Sequence, residues 1–260
     1  MSIASLAGYV VLIAMLMNFR GVGRVWQILR WGLVVIGVVM SIRSGSRGQL
    51  FAMTGSTILF LPMSRRISST KGFVATLAGA VSVGALIMWL YGQYAIWERW
   101  EWESMVEAYQ SSRAEMVGAL LAAWLDSSPV YWLIGLGSSA AYDPGIVGGY
   151  PHVVLIEVLC EEGLVGFVLF CGIVVLSMRS ILRVYGASAP YPDARGVLAA
   201  LGALFLFVFV LSFKQGSMLG SPYLFAFAVM LGKFEQLVNR QKIAQGGGAE
   251  PPAGQHPVPV

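Results

Sequence analysis

Long runs of apolar residues, broken by short charged or glycine-rich turns, set the pattern of this chain. The runs are continuous and do not alternate, which selects membrane-crossing helices over the strands of a barrel. They predict seven spans, at about 2–18, 25–42, 49–63, 72–91, 164–181, 196–213 and 221–235. Between the fourth and fifth lies a polar insertion that looks like none of them. WERWEWESMVEAYQSSR opens it with an amphipathic helix lying at the membrane interface, anchored by Trp97, Trp100 and Trp102. Apolar residues at 116, 117, 120, 121 and 124 predict a second helix over about 113–125. The chain then turns through SSP and GLGSS, and a short helix from about 152 to 162 stops at Gly163. The expected fold is an all-α integral membrane protein. Residues 1–91 supply transmembrane helices 1–4, 92–163 a large outer-face (periplasmic) loop with short helices, and 164–235 helices 5–7. Residues 236–260, polar and then rich in glycine and proline, read as a disordered cytoplasmic tail.

Composition agrees. The chain is 57% hydrophobic and 12% charged, against about 25% charged in a soluble domain. It cannot cover a water-facing surface. Its first residues, MSIASLAGYVVLIAMLM, lack the basic stretch that opens a signal peptide, so they are read as a helix that stays. Cys160 and Cys171 have no metal-ligand spacing and are read as small core residues.

The net charge of +4 is small but uneven. With seven spans and the N-terminus outside, the cytoplasmic segments hold Arg20, Arg24, Arg65, Arg66, Lys71, Arg179, Arg183, Arg195, Lys233, Arg240 and Lys242, with Arg30 near them. The outer segments hold Arg43, Arg47, Arg99, Arg113 and Lys214. Twelve bases against five follow the positive-inside rule. The unevenness speaks for membrane topology and against a nucleic-acid partner. Arg30, about one turn into its span, is expected to snorkel to the interface.

The bases left outside are the first candidates for chemistry. Arg43 and Arg47 flank a tight turn, SGSRG at 44–48. They either snorkel or form an anion site, for which the planar guanidinium fork is suited. Arg113 opens a helix, where the dipole does not favour a cation. It is either a solvated charge paired with a nearby acid or a ligand-binding group. His152 follows Tyr150 and Pro151. It is either structural or the best general base in the chain, since its proton is tunable near neutral pH. With no second histidine nearby and no Asp-x-Asp, a metal site is not expected. Glu157, Glu161 and Glu162 pair with the arginines, or cap and orient. Glu157 is given a supporting role because it shares the short helix with His152.

Three segments, in order, resemble the O-antigen ligase and polymerase family of bacterial membrane proteins. SGSRG at 44–48 is similar to that family's Ser-Arg-Gly turn. SSR at 111–113, with AEMVGALLAAWLDSSPVYWLIGLGSSAAYD after it, is similar to an Arg, a helix, then a Pro-x-x-x-x-x-Gly-x-Gly turn. PHVVLIEVLCEEGLVGFVLF at 151–170 is similar to a His-Asn pattern that ends in Glu-x-Gly-x-x-Gly. Val153 stands where the family usually has asparagine. The family usually has about twice as many spans, so the chain corresponds to a C-terminal half.

The resemblance implies glycosyl transfer from a polyprenyl-pyrophosphate-linked saccharide, with membrane lipid around the site, at the periplasmic face of the bacterial inner membrane. The acceptor is lipid A core for a ligase and another lipid-linked glycan for a polymerase. It also implies roles: Arg47 and Arg113 hold the pyrophosphate, His152 takes the acceptor proton, Arg43 is a second phosphate contact, and neither metal nor cofactor is needed. Two other readings stand beside it, an inactive truncated scaffold and a transporter component. The near absence of ionisable residues within the spans counts against the transporter.

Overall fold

The structure, a computed structural model, describes residues 3–17, 23–44, 47–65, 71, 72, 74, 78, 112–149, 151, 153–187, 192–213 and 221–246. Among these residues there is no strand. The helices are α1 (Ile3–Leu16), α2 (Arg24–Arg43), α3 (Arg47–Arg65), α4 (Ser112–Leu125), α5 (Pro129–Ile134), α6 (Val154–Ala187), α7 (Pro192–Ser212) and α8 (Pro222–Gly246), with a 3-10 turn at Ala140–Tyr142. Three of them, α2, α6 and α7, are long and apolar enough to cross a membrane. On α2 and α6 most of that apolar surface is exposed, which suits lipid and not water. The chain is a membrane protein. The predicted span at 72–91 lies largely outside the described residues, and the interfacial helix with Trp97, Trp100 and Trp102 lies wholly outside them.

The chain divides into two compact units. The first comprises Met1–Gly84, Leu176–Leu206 and Ala226–Val260. Its α1 packs on α2 and α3. Ala4, Ala7, Gly8, Val11 and Leu12 make the buried stripe of α1, at helical spacing. Against that stripe lies Gly37 of α2, where an added Cβ would come 2.6 Å from Val11 and 3.2 Å from the Ala7 carbonyl oxygen. Small residues on both helices thus permit close approach of the backbones. Gln49 of α3 donates to the Ser5 hydroxyl at 2.8 Å. On α7, Gly202 is covered by the Phe60 ring of α3, whose Cζ would lie 2.9 Å from an added Cβ.

The far end of α1 shows how the unit closes. A helix leaves its last four carbonyls without intrahelical donors. The Ile13 carbonyl accepts from the Met17 amide at 3.0 Å. The Arg30 guanidinium donates to the carbonyls of Ala14 and Met15, and the Ser64 hydroxyl donates to that of Leu16 at 2.6 Å. Arg30 therefore has a definite partner, the end of α1, where snorkelling alone was expected. A cation at a helix C-terminus also meets the negative end of the dipole.

The last helix runs to Gly246, past the expected end at 235. Beyond the apolar turns that end at Gly232, Glu235 accepts from the Ser180 hydroxyl at 2.5 Å and pairs with Arg183 at 3.2 Å.

The second unit comprises Ala85–Val175 and Phe207–Phe225. It holds α4, α5, the turn-rich stretch after them and the start of α6. Leu120 and Trp124 of α4 form a core with Ala141 and Cys160, flanked by Leu136, Ile146, Val147, Ile156 and Leu159. The stretch between α5 and α6 has its own core. It is a folded platform.

Candidate functional site

Two glycine-bearing segments, GLG at 135–137 and EEG at 161–163, meet in the second unit. At Gly163 α6 departs from helical geometry, with φ 69° and ψ −172°. That conformation is open to glycine and to almost nothing else. The short helix that opens α6 therefore ends at Gly163, as expected, and a second helical segment follows across the kink.

The break lets another backbone in. The amides of Leu136 and Gly137 donate to the carbonyls of Cys160 and Glu161, at 2.8 and 3.0 Å. A Cβ at Gly163 would fall 2.5 Å from the Gly135 nitrogen and closer still to the Leu133 carbonyl. A Cβ at Gly135, itself at φ 85°, would fall 2.5 Å from the Glu162 nitrogen and closer to the Glu161 carbonyl. Neither position has room for a side chain on its partner's account.

Glu161 completes the junction. Its buried carboxylate accepts one amide on each oxygen, from Ser139 at 2.9 Å and Ala141 at 3.0 Å. Ser139 has a left-handed backbone, φ 69°, and begins the 3-10 turn whose amides point at the carboxylate. A carboxylate held by backbone amides at a helical N-terminus is favourably placed. Beyond it, the Asp143 carbonyl accepts the amides of Ile146, Val147 and Gly148, and its side chain accepts Gly145 at 2.8 Å. The DPG sequence makes this Asx turn. Of the three acids, the one that secures the loop is Glu161. Its signal in the sequence was its place two residues before the glycine that breaks the helix.

The predicted site residues fall as follows. Arg43 is exposed in the last turn of α2, which Ser44 caps; Ser44 also donates its hydroxyl to the Ser41 carbonyl at 2.7 Å. Arg47 is the first residue of α3, so the tight turn expected over 44–48 is shorter, with Arg47 and Gly48 already helical. Arg43 and Arg47 belong to the first unit; Arg113, the second residue of α4, and Glu157 belong to the second. Glu157 is buried in the first turn of α6. That helix begins at Val154, two residues later than expected, with the Val153 carbonyl accepting the amides of Ile156 and Glu157. His152 lies outside the described residues. Among the described residues no group of His, Cys, Asp and Glu is placed to hold a metal ion.

The chain matches no protein-family model and no curated protein sequence.

Leu120 and Trp124 of α4 share a core with Cys160 of α6, so α4 is tied to the first turns of that helix. The interlocked glycines lock α5 and the loop to the same helix.

Proposed function

We propose that the chain is a membrane glycosyltransferase of the O-antigen ligase type. It moves a saccharide from a polyprenyl-pyrophosphate carrier to an acceptor hydroxyl during assembly of a cell-surface polysaccharide. Seven spans with the N-terminus outside put the polar insertion at the periplasmic face of the inner membrane, in keeping with the distribution of twelve bases against five.

The observation that carries the reading is the interlock of Gly135 and Gly163. It joins the Pro-x-x-x-x-x-Gly-x-Gly segment to the Glu-x-Gly segment, two of the three that carry the resemblance. Pro129 is the first residue of α5, Gly135 and Gly163 are the crossing point, and Glu161 holds the loop. Each of these motif residues has a physical task in one local structure.

In the reaction, the acceptor oxygen attacks the anomeric carbon. The bond from that carbon to the pyrophosphate oxygen breaks, and its electron pair leaves with the pyrophosphate. Arg47 and Arg113 take up the developing charge, with Arg43 as a further contact. His152 accepts the proton of the acceptor hydroxyl. Glu157 supports the first turn of the helix after it. The three arginines do the electrostatic work that a metal does elsewhere.

The test is to make Arg47→Ala, Arg113→Ala and His152→Ala separately and to follow surface polysaccharide in a strain lacking the protein. Each variant, at equal protein level, is expected to lose the glycan. Full-length polymer left on the lipid carrier assigns a ligase, and single carrier-linked repeats assign a polymerase. Unchanged glycan in all three variants refutes the catalytic reading and leaves a scaffold.

A further inference from the structure

Every residue of α5, Pro129–Ile134, is exposed, and five of the six are large and apolar or aromatic: Val130 60%, Tyr131 48%, Trp132 39%, Leu133 54% and Ile134 61%. A six-residue helix with no buried side chain does not form to fill a protein core. Its polar groups are nonetheless settled internally. The Trp132 indole donates to the carbonyls of Trp124 and Leu125 at 3.0 and 3.2 Å, and the Trp124 indole donates to the Tyr131 carbonyl at 3.1 Å. These bonds lock the corner between α4 and α5 and leave the outward face of α5 with Val130, Leu133 and Ile134. Such a face makes no demand for a hydrogen-bonding partner.

What covers it follows from where it is pinned. The Leu133 carbonyl and the Gly135 amide sit against Gly163 of α6. The next residues of α6, Leu164 and Val165, then Val168 and Leu169, are also exposed and apolar. They belong to the helix that is long and apolar enough to cross a membrane. The exposed face of α5 therefore continues the lipid-facing surface of α6 at the level where α6 breaks. Both lie in the second unit.

We propose that α5 is a membrane-inserted anchor, with Val130, Leu133 and Ile134 embedded in the acyl-chain region of the bilayer beside the Gly163 break. The insertion is then tied to the membrane at α5, and the platform 135–149 is held at the headgroup level. The inference does not depend on glycosyl transfer or on the sidedness of the chain.

The test places single cysteines at Val130, Leu133 and Ile134, each exposed and free to be replaced without breaking a core, and at Gly145 in the exposed Asx turn. The background carries Cys160→Ala and Cys171→Ala. Each purified full-length variant, shown to be monodisperse in detergent, is labelled with a bimane fluorophore and placed in phosphatidylcholine vesicles. The expected result is loss of emission with doxyl-labelled lipid and protection from iodide at 130, 133 and 134, with the reverse at 145. Quenching by iodide at 133 and 134 equal to that at 145 overturns the proposal, because α5 then faces water. Protection from both quenchers also overturns it, because a second copy or another protein then covers the face. If the cysteine-free background does not stay monodisperse, the same readout is taken from V130C, L133C and I134C with Cys160 and Cys171 retained, each corrected for the unsubstituted protein.

Discussion

Gly163→Ala puts one methyl group where two backbones cross. The cost has two parts. At φ 69° and ψ −172° a residue with a Cβ is strained by about 1–3 kcal/mol. The methyl would also stand 2.5 Å from the Gly135 nitrogen and closer to the Leu133 carbonyl. These are main-chain atoms, so no side-chain rotation relieves the clash, and overpacking of this kind costs about 1–3 kcal/mol more. The expected loss is about 2–6 kcal/mol, a large share of a typical stability of about 5–15 kcal/mol. If the loop releases to relieve it, the amides of Leu136, Gly137, Ser139 and Ala141 lose their partners on Cys160 and Glu161. Gly172→Ala is the control: same helix, same methyl, and nothing within 4 Å of it. That change is expected to be neutral or to stabilise by up to about 1 kcal/mol. Thermal unfolding in detergent, read by tryptophan emission, checks the first figure, with a fall of about 5–20 °C for Gly163→Ala. Hydrogen exchange at the four amides checks the mechanism. A Gly163→Ala protein that melts with its parent and keeps those amides protected shows the reasoning to be wrong.

Three further outcomes follow from the first unit. Arg30→Ala strips the donors from the Ala14 and Met15 carbonyls and is expected to lower stability by about 1–3 kcal/mol, with Arg30→Lys recovering part; melting in detergent measures both. Gly202→Ala drives a methyl into the Phe60 ring at a cost of about 1–3 kcal/mol, and Phe60→Leu in the same chain is expected to return some of it, a coupling that a double-mutant cycle reads directly. Glu235→Gln removes the charge that meets the Ser180 hydroxyl and Arg183; Arg183 is 61% exposed, so the loss is expected to stay under about 1 kcal/mol, read by melting in detergent.

How much of this was legible in sequence depended on the range of the interaction. The helix predicted over 113–125 is Ser112–Leu125, because apolar residues at helical spacing speak for themselves. Gly163 was legible as a break. Its partner was not, since Gly135 lies 28 residues earlier and nothing in either segment names the other. Arg30 was legible as a cation inside an apolar run, but its acceptors lie on another helix. Glu157 drew attention by nearness to His152, whereas Glu161 secures the loop through main-chain amides, which sequence does not display. The last helix outran its apolar stretch because KFEQLVNRQKIAQ is rich in good helix formers, with Val238 still buried. Of the candidate site, the place of Arg113 at a helix start was readable from the turn beside it, whereas Arg43 and Arg47, expected between two spans, are helical.

The tethered end of α1 bears on the order in which the protein assembles. With 14 residues α1 is about 21 Å long, short of a hydrocarbon core of about 30 Å. Its final carbonyls are met by Arg30 of α2 and Ser64 of α3, both made later by the ribosome. Until those two helices arrive, three carbonyls at the end of α1 have no protein donor, and hydrocarbon offers none. The earliest of these helices to be synthesised is therefore among the last to be finished.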